Sequence, residues 1–148
     1  MFQKILVCLD GSKLAEQIVP YVAEQAAKFG SSLVLFQAVS MSAIPAPTGI
    51  ESVPVAVPDT MLRDAELAAM DYLSGLAAPL RDRGLKVQCV TMIGHPAETI
   101  VGYADENRFD LVALATHGRS GLKRMVFGSV ADYVVRKSGL PILLIKPR

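Results

Sequence analysis

The chain has 148 residues, the size of one ordinary domain, and 51% of them are apolar, enough to bury a core without disulfide or metal staples. Its formal charge is +1, from 15 basic and 14 acidic residues, with no basic stripe and few aromatics, so nucleic acid is not an expected partner. No apolar run is long enough to span a bilayer, and Met1-Phe2-Gln3-Lys4-Ile5 leads into a strand without an apolar signal region, so a cytoplasmic protein with no membrane partner is expected.

In chain order, residues 4–9, with Ile5-Leu6-Val7-Cys8-Leu9 at their heart, read as a strand. Ser12 is placed to cap a helix over 13–29, in which Leu14, Ile18, Val22 and Ala26 recur every four residues and which Gly30 ends. Pro20 inside it predicts a kink, since proline removes a donor and crowds the preceding turn. A strand over 32–39 follows, then residues 40–58 with Pro45, Pro47, Pro54 and Pro58. A connection longer than about 12–15 residues reads as a lid or as a mobile excursion. Next come a helix over 59–83 closed by Gly84, a strand over 86–92, a helix over 96–107 and a strand over 110–115. A helix over 130–137 and the strand Pro141-Ile142-Leu143-Leu144-Ile145-Lys146 complete the pattern. Cys8 and Cys89 fall in apolar strand-like runs and read as packing residues rather than a disulfide or metal pair.

Five apolar strands separated by four helical segments predict an α/β fold, a doubly wound five-stranded parallel sheet with helices on both faces. With the strand order 3-2-1-4-5, the winding reverses between the first and fourth strands, and ligands of such sheets bind there, at the carboxyl ends. The loops leaving those strands are Asp10-Gly11-Ser12 and Thr116-His117-Gly118-Arg119-Ser120-Gly121. The second is glycine-rich, carries His117, Arg119, Lys123 and Arg124 with no acid, and passes through Gly128-Ser129 into a helix. A strand, a glycine loop and a helix N-terminus together expose backbone N–H groups and a favourable dipole to an anion, which points to a phosphorylated ligand. The last strand, apolar between Pro141 and Lys146, lies at a sheet edge in this order, and a homodimer joined along it is expected. One domain accounts for residues 1–148.

Two blocks of sequence carry a resemblance to a known family. Ile5-Leu6-Val7-Cys8-Leu9-Asp10-Gly11-Ser12 is similar to the opening strand and loop of the universal stress protein family. Thr116-His117-Gly118-Arg119-Ser120-Gly121-Leu122, followed by Gly128-Ser129-Val130-Ala131, resembles its nucleotide loop, and 141–146 its closing strand. In the family's ATP-binding branch the loop reads glycine, two residues, glycine, nine residues, then glycine and serine or threonine. Gly118, the residues 119–127 and Gly128-Ser129 follow that pattern, and its first glycine falls on Ala115. The resemblance implies an adenine nucleotide alpha hydrolase-like fold and ATP as the ligand, with Mg²⁺ or Mn²⁺ arriving on the phosphates.

The same resemblance implies the site. Asp10 would meet the adenosine part, where a carboxylate accepts ribose hydroxyls; a turn role before Gly11 is the alternative. Gly118, Gly128, Ser129 and Val130 would offer N–H groups to the phosphates, and Ser129 also reads as a helix cap with Asp132. Arg119 would neutralise phosphate charge, while Lys123 and Arg124 read as solvated. His117 reads as orienting the loop, and Gly121 as a binding or turn residue. Ala38 would lie against adenine, with Val39 and Leu9 lining the pocket, and Ala115 and Thr116 complete the set. No metal-ligand spacing and no catalytic residues are visible. The expected function is ATP-dependent regulation or sensing in a stress response; partner binding without nucleotide, or slow ATP hydrolysis, are the alternatives.

Overall fold

In the computed structural model, which describes residues 1–40, 58–116 and 128–147, the apolar runs form five parallel strands. These are β1 (Lys4–Leu9), β2 (Ser32–Val39), β3 (Lys86–Ile93), β4 (Leu111–Ala115) and β5 (Ile142–Ile145). They lie in the order β3-β2-β1-β4-β5, as the connectivity predicts. Helices α1 (Lys13–Glu16), α2 (Val19–Phe29), α3 (Asp59–Asp82), α4 (Pro96–Glu106) and α5 (Ser129–Lys137) connect them.

Alternate strand residues point to opposite faces, and two cores result. Ile5, Val7, Leu33, Leu35, Leu111 and Ala113 pack with Val22 and Ala26 of α2 and Leu73 and Ala77 of α3. Leu6, Val34, Phe36, Val112 and Leu114 pack with Ile100 of α4 and Val134 of α5. Burial on both faces is why the central strands read as continuous apolar runs rather than as alternating ones. Asp110 ties the amino ends of two inner strands: its carboxylate accepts from the Gln3 and Lys4 amides at 2.7 and 3.1 Å, holding the start of β1 against β4.

Three local expectations are corrected. The segment 13–29 is two helices rather than one kinked helix. Ser12 does cap the first, accepting from the Ala15 amide at 3.1 Å. The chain then breaks and restarts with Pro20 in the first turn of α2, where its missing N–H costs no helical bond. β3 is not apolar throughout: Lys86, Gln88, Met92 and Ile93 are exposed, because β3 is the other edge of the sheet. For the same reason Cys89 is only half buried, whereas Cys8 in the central strand is buried, and both are free thiols. Ser129 is not the cap of α5. The helix begins on it, and the cap position is Gly128, with φ 75° and ψ 156°. Asp132 accordingly pairs with Arg136 at 3.0 Å, one turn on, instead of closing a capping box.

Candidate functional site

At the carboxyl end of the sheet, the reversal of winding between β1 and β4 leaves a gap that no strand-to-helix connection bridges. A cavity of about 600 Å³ opens there, within the range of small-molecule sites. Leu9 and Asp10 line it from the end of β1, Ala38 from β2, Ala115 from β4, and Gly128, Ser129 and Val130 from the start of α5. Seven residues singled out in the sequence thus meet in one place, although they come from four separate elements.

Each wall has its own chemistry. At α5 the first-turn N–H groups of Ser129, Val130 and Ala131 have no acceptor within the helix, and the first internal bond runs from the Asp132 amide to the Gly128 carbonyl at 2.9 Å. Because a glycine rather than a side-chain oxygen occupies the cap position, no cap side chain covers those amides. At β1 the exposed Asp10 carboxylate accepts from the Ser12 amide at 2.9 Å through Oδ1, a turn held by an aspartate side chain. Gly11 follows with φ 83°, a left-handed conformation that suits glycine and lets the chain swing from β1 into α1. The turn role and a ligand role for Asp10 are therefore compatible. The remaining wall is apolar: Cys8, Pro96, Ile100, Leu114 and Ala131. None of these was singled out as a binding residue in the sequence, where Cys8 reads as a packing residue and the others as ordinary core or turn residues.

Ala115, where the resemblance expects a glycine, does not project toward the α5 wall. On β4 it is in phase with Leu111 and Ala113, and its register partner Ile145 packs with the α2–α3 core. By strand phase its methyl follows the face opposite α5, although the residue lines the cavity. Two other expected residues lie elsewhere. Thr116 is buried, its amide donating to the Ile145 carbonyl at 2.9 Å, and it lines neither this cavity nor its neighbour. Val39 lines only the neighbour, of about 500 Å³, on the α3 side of β2. His117, Gly118, Arg119 and Gly121 fall outside the described residues, as do Lys123, Arg124 and the span 41–57.

Asp10, Ala38 and Pro96 are shared by the two cavities, and the second adds Gln37 of β2 and Tyr72 of α3. Burial pushes the Tyr72 hydroxyl above its ordinary pKa, and the Glu16 and Asp10 carboxylates push it further. Burial does the same to Tyr103 and to the Cys8 thiol. These groups keep their protons in the folded state through the range, about pH 8.5–10, where an unfolded chain would lose them. Stability is therefore full below that range and falls as pH rises through it. A series of urea melts at increasing pH should show this decline, less steeply for Tyr72→Phe; a flat profile to about pH 11 would contradict it.

Known proteins share this fold. Residues 1–146 match the model of the universal stress protein family. The universal stress protein YxiE of Bacillus subtilis is 29% identical over 150 residues, spanning 99% of this chain and 100% of the relative. The solved structure of MJ0577, a universal stress protein of Methanocaldococcus jannaschii, superposes with a TM-score of 0.76 at 25% identity, covering 100% of this chain and 98% of its own. A universal stress protein solved in complex with cAMP has the same fold, with a TM-score of 0.72 at 20% identity over 98% of this chain and 97% of its own. With the family model matched across nearly its full length, and the fold and strand order in agreement, the chain belongs to the universal stress protein family.

Proposed function

We propose that this chain is an ATP-binding regulatory module of the stress response, a single domain over 1–148 that works in the cytoplasm. The observation that carries the reading is the cavity itself, lined on one side by the start of α5, whose first amides no cap side chain covers, and on another by Asp10. A nucleotide has the matching polarity: phosphates at the amides and helix dipole, ribose hydroxyls at the carboxylate, base against Ala38. The complex of a structural neighbour with cAMP supports an adenine nucleotide as the ligand. Gly118 and Arg119 of the glycine loop add phosphate contacts in this reading, with His117 orienting the loop and Gly121 and Thr116 completing it. Among the described residues no cluster of three or more His, Cys, Asp or Glu could hold a metal, so Mg²⁺ or Mn²⁺ would be held by the phosphates and water.

Thermal melting with ATP tests the proposal. At about 100 times its dissociation constant the nucleotide adds roughly 2.7 kcal/mol of stability. An unchanged melting temperature across millimolar ATP favours instead a module that works through partner contacts alone. Steady phosphate release would favour an ATPase.

We also propose a homodimer through 141–146. β5 is an edge strand with half-buried Ile142, Leu143, Leu144 and Ile145. The Pro141 and Ile145 carbonyls accept from β4, so by alternation the Leu144 N–H points away from the sheet. Leu144→Pro removes that outward donor and spares the inner ladder. Sedimentation should find the parent chain dimeric and the variant monomeric; a monomeric parent ends the proposal.

A further inference from the structure

We propose that the cavity on the α3 side of β2 is a second ligand compartment, built for an uncharged group that donates hydrogen bonds, such as a sugar hydroxyl or an amide. Its two most telling atoms are Gln37 Oε1 and the Tyr72 hydroxyl. Both are closed off from solvent; Gln37 Oε1 has no hydrogen-bond partner, and the Tyr72 hydroxyl has only the Glu16 carboxylate beside it, outside ordinary hydrogen-bond geometry. Buried polar atoms without partners cost free energy and are rare. These are the two such side-chain atoms among the described residues, and both residues line the same cavity.

The strand pattern makes Gln37 conspicuous. On β2 the residues directed to the α3 core run Leu33, Leu35, Gln37, Val39, so an amide stands where the fold needs only an apolar side chain. Its Nε2 packs beside Gly11, and its Oε1 is left without a partner. A ligand that donates to Gln37 Oε1 supplies what the fold leaves out.

The surroundings narrow the chemistry. Asp10 lines the cavity and the Glu16 carboxylate acts on Tyr72, which disfavours a phosphate or other anion. Glu16 is already held by Lys13 at 2.9 Å, which weakens the pull on a cation. Alanine side chains of α3, among them Ala69, form an apolar wall suited to a flat or compact ring. The group could come from two sources. One is the sugar or base of the nucleotide proposed above, reaching past Asp10, a form that rests on that proposal. The other is a separate small molecule, a form that does not.

Gln37→Leu and Tyr72→Phe in the full chain, with three probes, distinguish the outcomes. The probes are ATP, D-ribose and nicotinamide, followed by the side-chain amide signal of Gln37 and the ring signals of Tyr72 in NMR titrations. Both variants should melt about as high as the parent, because neither removes a hydrogen bond of ordinary geometry. At least one probe should move the Gln37 amide and bind about five- to tenfold more weakly to both variants, the loss expected for one hydrogen bond. Movement by ATP identifies the nucleotide's own sugar or base. Movement by ribose or nicotinamide identifies a separate ligand, and stands even if ATP binds nowhere on the chain. The proposal is overturned if no probe disturbs Gln37, or if both variants melt well below the parent, since the two atoms would then be structural.

Discussion

Gly128→Val should abolish nucleotide-dependent stabilisation. Gly128 has φ 75° and ψ 156°, a combination open essentially to glycine alone and costing other residues on the order of 1–3 kcal/mol. A β-branched side chain there forces the backbone to rotate, and the amides of Ser129, Val130 and Ala131 turn with it. It also puts two methyl groups at the mouth of the cavity that Gly128 lines. The unliganded variant should therefore melt only modestly lower than the parent, while the added stability from ATP, roughly 2.7 kcal/mol at about 100 times the dissociation constant, disappears. Ser129→Ala is the informative companion: it keeps every backbone donor and loses one hydroxyl, so binding weakens without vanishing. An ATP-dependent shift that survives Gly128→Val would mean that the phosphates sit elsewhere.

Phe36→Ala should be the most destabilising of these substitutions. The ring is fully buried in the central part of β2. It stacks on Tyr103 of α4 with centroids 5.0 Å apart, and Tyr103 in turn lies 5.6 Å from Phe109 at the entry to β4. Lys4 Nζ sits 4.4 Å over the Phe109 ring and donates to the Asn107 carbonyl at 2.9 Å, which joins β1 to the same assembly. Removing a buried phenylalanine costs about 3–5 kcal/mol, a large share of the 5–15 kcal/mol (roughly) available to a domain. Urea unfolding should show a lower midpoint with an unchanged slope. A loss below about 1 kcal/mol would mean that the surrounding side chains collapse into the space.

Much of this architecture was legible because both faces of the sheet are covered. Runs such as Ile5-Leu6-Val7-Cys8-Leu9 have only one reading once helical periodicity is absent, and the turn residues Gly30 and Gly84 marked the helix ends. With the strand order 3-2-1-4-5, the loops leaving the first and fourth strands meet at one crevice, and Asp10 and Gly128 line one cavity there. What escaped was local competition. Pro20 fits a kink and a fresh helix start equally well in sequence terms; in the fold α1 ends at its C-cap Gln17, and α2 starts after the buried Ile18. Ser129 looked like the better cap, but the backbone of Gly128 can adopt a geometry that serine avoids. The alanine at 115 could not be oriented without the register of β4 on β5. Gln37 did carry a signal, a lone amide in an otherwise apolar strand, and only the neighbourhood of Tyr72 gave it meaning.

Because β1 is the middle strand, its partners are synthesised at very different times. β2 follows after one helical excursion, whereas the Gln3 amide meets Asp110 across 107 residues of chain. Closing so long a loop is entropically unfavourable and slows folding. A growing polypeptide can pair β1, β2 and β3 early, yet the cleft beside β1 has no opposite bank until β4 and α5 arrive. Ligand capture is in that sense a signature of completed folding, and a small molecule that binds there rewards only the chains that have finished.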